Sequence, residues 1–478
     1  DFMPISQCFH AMFGRPHRLL RGAGIRRRSH FEHIRRKPAA AVADCTSGGA
    51  DVACITEVEQ LEDRTLLAAF NVTQLTDFGD DVLDHRQQLS ISGDGSRVVF
   101  SSRLKQNGEN PDGGYEVFLL DTSTGDIDQL TDTPAPPFNS FLPAIDPLPV
   151  ISDDGSRIAY VAFEDVLEED PANPSQDKLV RRSFLAVRDL NTGTTTRLTD
   201  NLDPSLHRFY ELAINSDGTH VAFASDANLT GNNSSEVRVV YLMSAGGGPT
   251  TQVPGLSPEI GFDIAISGDG NSVAFRTDAD LVGNNPDRHR QVFLFDAGTG
   301  QTIQVTDAEF DINADVVSVN AGGTEVLVSM QDKPVYETER VEIDGSVTTF
   351  RNVSREVIQF DIPNETRTVL TETPDQQFRG GGSNLVPFQA SASADGTQVT
   401  FLQGSNTGPG RLSFFDTSDG VEQDVPFLPV TGVLAGVGVS DPVSFATVSG
   451  DGKHIVFSAF TGSFPDETLE IFFASIAP

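Results

Sequence analysis

Apolar and polar positions alternate along this chain in short runs, and seven of those runs follow the same turn. They read ISGDGSRVVF (91–100), ISDDGSRIAY (151–160), INSDGTHVAF (214–223), ISGDGNSVAF (266–275), VNAGGTEVLV (319–328), ASADGTQVTF (392–401) and VSGDGKHIVF (448–457). Period-two alternation predicts strands, and the Asp-Gly step predicts a tight turn between each pair of them. In the second strand of each unit Val98 and Phe100, or Val221 and Phe223, fall on one face. The other face carries small residues such as Ala222 and Ala274, which predicts burial against a second surface there. Asp94, Asp154, Asp217, Asp269, Asp395 and Asp451 are expected to build turns rather than catalyse. The fifth unit keeps the turn with Ala321-Gly322-Gly323.

The turn glycines recur at gaps of 52 to 73 residues. That exceeds a solenoid coil of roughly 20–45 residues and suits a blade of four strands with long loops. A second hairpin lies inside the gaps: EVFLLDTSTGDIDQLTD (116–132), FLAVRDLNTGTTTRLTD (184–200) and VFLFDAGTGQTIQVTD (292–307). Two hairpins per unit predict an all-β fold, a seven-bladed β-propeller of four-stranded antiparallel blades. The last unit lacks a fourth strand, while FNVTQLTD (70–77) lacks a hairpin partner. The N-terminal strand is therefore expected to close the last blade, with residues 71–76 pairing against about 469–475.

The repeated Ser-x-Asp-Gly turn, with its closing Leu-Thr-Asp, resembles the WD40-like repeat of TolB-type β-propellers over residues 70–478. The resemblance implies a propeller fold and a periplasmic envelope protein that engages a lipoprotein partner. The chain departs from the family pattern in having no Trp, and in placing Gly, Ser, Asp or Ala where Pro usually precedes the Asp-Gly. LEDRTLLAA (61–69) resembles a short N-terminal sequence of large exported planctomycete proteins. This implies that residues 1–69 are an export segment preceding the propeller at 70–478.

Composition agrees with that division. Residues 1–37 hold nine Lys or Arg against two acidic residues and show no apolar periodicity, so residues 1–60 are expected to stay unpacked. The propeller region carries 60 acidic and 23 basic residues, a net charge of about −37. Such a surface repels nucleic acid and favours cations or basic partners. No apolar stretch is long enough for a transmembrane helix. Cys8, Cys45 and Cys54 all precede the propeller, so no disulfide staples it. An extracellular, cell-surface or periplasmic location and a monomeric state are expected.

Long connections mark where function is expected. Those between second and third strands include 103–114, 164–180, 226–235, 278–290 and 331–356. Those between blades include 131–149, 371–388 and 425–444. Both sets fall on one face, the expected surface for a protein or carbohydrate partner. Residues 334–360 read as a protruding hairpin around Asp344-Gly345. Asp226, Asn228, Asp278 and Asp280 space oxygen atoms at alternate positions, a pattern suited to Ca²⁺, without the twelfth-position Glu of an EF-hand loop. Asp77, Asp132, Asp200 and Asp307, which end the Leu-Thr-Asp or Val-Thr-Asp motifs, are expected as turn or cap residues, with ion contact as the alternative. His85, His207, His220, His289 and His454 show no metal-ligand spacing. There is no G-x-S-x-G elbow and no sialidase-type aspartate box, so no catalytic residue is assigned. The enzyme alternative is a carbohydrate-active one, with carboxylates from several blades meeting at the channel mouth.

Overall fold

A computed structural model describes residues 70–77, 89–103, 110–133, 147–170, 173–200, 202, 207–254, 264–307, 315–330, 336–341, 347–353, 356–371, 376–379, 390–403, 411–418, 420–425, 443–461 and 468–476. Among them every regular element is a strand. Residues 1–64 separate as their own unit from 65–478 and, with the leader and its cysteines, lie outside the described residues.

Seven four-stranded antiparallel sheets form the blades of a β-propeller. Blade 1 holds Leu89–Ile91, Arg97–Ser102, Glu116–Asp121 and Ile127–Gln129, and blades 2 to 6 repeat the same meander along the chain. Blade 7 takes Val443–Val448, His454–Thr461 and Thr468–Ile476 from the C-terminus and Phe70–Gln74 from the N-terminus. The closing strand pairs as expected, from Phe70 opposite Ile476 to Gln74 opposite Phe472. The Leu75 N–H then extends the ladder to the Ile471 carbonyl.

The first strand of each blade touches the first strands of both neighbours, so these strands ring the axis. Each of seven apolar clusters straddles one pair of neighbouring blades, and together they complete the circle. The alternation explains how both blade faces are used. On one face Phe100 stacks on Phe118, Phe223 on Tyr241, Phe275 on Phe293 and Phe457 on Phe472, each pair directly opposite across the second and third strands. Such pairs contribute roughly 0.5–1.5 kcal/mol beyond their buried area. On the other face Ala159, Ala222 and Ala274 are fully buried against the next blade, as small residues there predicted.

The Asp-Gly turns do more than reverse the chain. The seven turn glycines have φ between +67° and +76°. At six of the seven junctions the first residue of a second strand rests on the turn glycine of the following blade, among them Arg97 on Gly155, Arg157 on Gly218 and, across the closure, His454 on Gly95; between blades 5 and 6 Leu327 meets Gly396 instead. A Cβ on Gly95 would lie 2.3 Å from the His454 ring, so positive φ and close approach both require glycine there. Six of the seven junctions also carry a turn-to-turn backbone bond of one direction, such as Gly93 N–H to Asp153 O and Asp451 N–H to Gly93 O.

Candidate functional site

In an antiparallel meander the second-to-third connections and the inter-blade connections share a face, opposite the Asp-Gly turns. Two of the long connections on this face are β-structured. In blade 2 the ladder runs unbroken from Arg157 opposite Asp189 to Glu169 opposite Asp177, within strands Arg157–Asp170 and Asn173–Asp189. Residues 164–169 and 177–180 thus form a β-ribbon and not a loop. The insertion of blade 5 forms the expected hairpin, Tyr336–Val341 against Val347–Val353. A third strand, Gln376–Arg379, joins it from the connection that follows the blade.

The loops of blades 1, 3 and 4 share one internal design. Asn110, Asn233 and Asn285 are buried and donate side-chain N–H groups to the carbonyl four residues on, Gly114, Val237 and His289, at 2.9, 2.7 and 2.8 Å. Three residues after each Asn, Gly113, Glu236 and Arg288 take positive φ. The proposed Ca²⁺ ligands belong to this design. Asn228 Oδ1 accepts from Asn233 N–H at 2.8 Å, and Asp280 Oδ1 accepts from Asn285 N–H at 2.9 Å. Asp226 instead faces the preceding strand, accepting from Arg208 N–H at 2.7 Å and Tyr210 O–H at 2.9 Å. Asp278 shares the loop of Asp280, and its carbonyl accepts from Asn285 Nδ2 at 3.3 Å. Asp226 and Asn228 therefore lie in one loop and Asp278 and Asp280 in another. No group of three or more His, Cys, Asp or Glu is placed to hold a metal ion among the described residues.

A polar cluster surrounds Asp226. His207 Nδ1 stands 3.9 Å from its Oδ1, and the Arg238 guanidinium lies 4.1 Å from the Tyr210 ring centroid. Burial, then the hydrogen bond to the Asp226 carboxylate, pushes the Tyr210 phenol above its usual range. One blade on, Arg276 reaches Asp315 at 3.1 Å, tying blade 4 to the first strand of blade 5. Nearer the turns the innermost strands join through hydroxyls. Ser90 Oγ accepts from Ile151 N–H at 3.1 Å, and Ser391 Oγ meets Thr447 Oγ1 at 2.9 Å.

The aspartates ending the Thr-Asp motifs, Asp77, Asp132, Asp200 and Asp307, are exposed. The threonine before each one makes the contact that matters. Thr76, Thr131, Thr199 and Thr306 each accept a backbone N–H of their own blade through Oγ1. Thr76 and Thr131 also donate to the buried carboxylates Glu470 and Glu116, and Thr306 to the buried amide of Gln291. Sequence reading missed this couple because its halves lie 15 residues apart or at opposite ends of the chain. A signal exists nonetheless: where Pro254 replaces the threonine in blade 3, Val239 replaces the glutamate. Of the histidines, His220 and His454 pack at blade junctions, His207 and His289 sit in face loops, and His85 lies outside the described residues.

No protein-family model and no curated protein matches the chain. Among solved structures it is similar to an oligogalacturonate lyase from Vibrio parahaemolyticus, at 16% identity over 86% of this chain and 97% of that one, TM-score 0.48. It is similar to TolB from Acinetobacter baumannii at 15% identity over 76% and 77% of the two chains, TM-score 0.38. It is also similar to the β-propeller domain of the Trilobed protease from Pyrococcus furiosus, at 13% identity over 81% and 95%, TM-score 0.41.

Proposed function

We propose that this chain is an exported β-propeller that works as a binding module and holds a basic protein partner on its long-loop face. The observation that carries the reading is the pair of β-structured projections on that face, the ribbon of blade 2 and the three-stranded insert of blade 5. They add structure where a propeller needs none, on a domain with net charge of about −37. The opposite face is committed to turn-to-turn bonds between blades. The loops holding Asp226, Asn228, Asp278 and Asp280 are proposed Ca²⁺ sites on the same face. Export rests on the resemblance of residues 61–69 to exported leaders.

Calorimetry tests both ligands. Oligolysine should bind the full chain with an affinity that falls as salt rises, because exposed charges are screened within roughly 8 Å at physiological ionic strength. Salt-insensitive binding, or none, rejects the basic-partner reading. Ca²⁺ should release heat with the wild type and less with Asp278→Ala/Asp280→Ala, which leaves the loop of Asp226 and Asn228 intact; no heat from the wild type removes the ion.

A further inference from the structure

We infer that the blade 2 ribbon is the gripping element of this face and that it takes a partner segment in which large apolar and basic side chains lie side by side. The inference rests on the basic-partner reading above and narrows it to one surface. Cross-strand partners share a face, and successive pairs on that face are two residues apart, roughly 7 Å along the ribbon. One ribbon face therefore presents three pairs in order. Asp165 and Arg181 come first, joined by two hydrogen bonds of 2.8 and 2.9 Å. Leu167 and Leu179 come next, 69% and 55% exposed, and no other large apolar side chain among the described residues is as exposed. Glu169 and Asp177 come last, directly opposite each other and exposed.

Each of the last two pairs is unfavourable as it stands. Two leucines on a water-facing ribbon forgo burial worth roughly 25 cal/mol per Å² of apolar area. Like charges directly opposite in an antiparallel ladder repel. Neither Glu169 nor Asp177 has an ion-pair partner among the described residues, whereas Asp165 and Glu168 are both held by arginines. One ligand relieves both defects: an apolar side chain over the leucines with Lys or Arg reaching the two carboxylates. The bidentate Asp165–Arg181 pair and the Arg182–Glu168 pair hold the ribbon in register below the patch. A second copy of this chain would bring the same carboxylates against these and is disfavoured by charge.

Two 12-residue peptides, alternating Lys-Leu and alternating Lys-Ser, are titrated into the full chain by fluorescence anisotropy. Binding of Lys-Leu should be at least about tenfold tighter than Lys-Ser, as befits a buried apolar anchor. Leu167→Thr/Leu179→Thr keeps strand-forming side chains and should remove that preference while leaving Lys-Ser binding unchanged. Glu169→Gln/Asp177→Asn should weaken both peptides and flatten their salt dependence. Matching melting curves for all variants confirm an intact fold. Equal binding of the two peptides, unaffected by the leucine changes, overturns the ribbon proposal and leaves the basic-partner reading standing. Binding of neither peptide overturns both. Wild-type dimers in sedimentation that vanish in the leucine variant overturn the proposal in favour of self-association.

Discussion

At the scale of single residues, two kinds of carboxylate carry opposite pH signatures. The turn aspartates are net acceptors of hydrogen bonds. In Asp154, burial raises the pKa, but the Ser152 and Ser156 bonds outweigh it and leave the carboxyl below its usual range. A depressed folded pKa contributes stability that is present above the unfolded value and is lost as pH falls through the folded one. Asp154→Ala should therefore cost about 1 kcal/mol near neutral pH. The deficit should shrink as pH falls below about 3.9. Urea unfolding across pH measures it, and a pH-independent deficit would show that the turn needs the side chain's shape and not its charge. Glu116 behaves in the opposite way. Burial raises its carboxyl above the usual glutamate range, despite bonds from Thr131 Oγ1 and Thr133 N–H. A raised folded pKa gives stability that is full below the unfolded value and is lost as pH rises through the folded one. Glu116→Gln, which places in blade 1 the amide that blade 4 already has at Gln291, removes this loss. Relative to wild type the variant should gain stability from about pH 4.3 toward 7. It starts from a constant offset of about 1 kcal/mol for the acceptor that Thr133 N–H loses. A relative loss over that range would mean that the carboxylate's hydrogen bonds outweigh its burial.

At the scale of elements, the Asp-Gly hairpin is the unit that both shapes a blade and joins it to the next. The residue two before the turn glycine is Gly93, Asp153, Ser216, Gly268, Ala321, Ala394 or Gly450, and these positions meet around the axis. Gly, Ala or Ser at six of these seven positions is smaller than the proline it replaces, and the space is tight: a Cβ on Gly450 would lie 3.0 Å from both Gly93 Cα and Asp153 Oδ1. Gly450→Ala should cost about 1–3 kcal/mol by overpacking. A double-mutant cycle with Asp153→Ala should show coupling of at least about 0.5 kcal/mol. Strict additivity in chemical denaturation would place the clash elsewhere. These hairpins were legible because both flanking strands are half-buried and so alternate cleanly. The ribbon at 164–180 was not. Leu167, Glu169, Asp177 and Leu179 are exposed, its charges pair across the strands, and EDVLEEDPANPSQDKLV reads as a polar loop. Gln376–Arg379 was hidden for another reason: it pairs with Val347–Val353, across an intervening blade hairpin, and no local pattern reports such a partner. In the loops, the Asn and Asp spacing pointed to oxygen ligands, whereas the same spacing also lets Asn228 and Asp280 bond the backbone five residues on.

At the scale of the whole molecule, stability depends on closing a circle with a strand that lies about 400 residues from its partner. The strand Phe70–Gln74 brings little buried surface of its own, and most of its side chains are half-buried or exposed. Its effect comes from what it completes. Phe70 meets Phe414 edge to face at 5.7 Å, so the closing strand reaches the core between blades 6 and 7. Leu75 packs in the cluster between blades 7 and 1. Thr76 donates to the buried Glu470 carboxylate and accepts from Ile471 N–H. Removing residues 70–77 therefore loosens two of the seven interfaces and strips a fully buried carboxylate of a donor. Loss of a hydrogen-bond partner from a buried polar group alone costs about 1–3 kcal/mol. An exposed edge on Thr468–Ile476 would add a tendency to associate. The truncated chain should melt at a clearly lower temperature and aggregate on heating. A peptide covering residues 66–78, added in excess, should raise the midpoint again by mass action. Thr76→Val isolates the buried contact: it should reproduce part of the loss without exposing the edge, and so without aggregation. An unchanged midpoint after the deletion would show that six blades and three strands are stable as they stand, and that the seventh blade's fourth strand is dispensable.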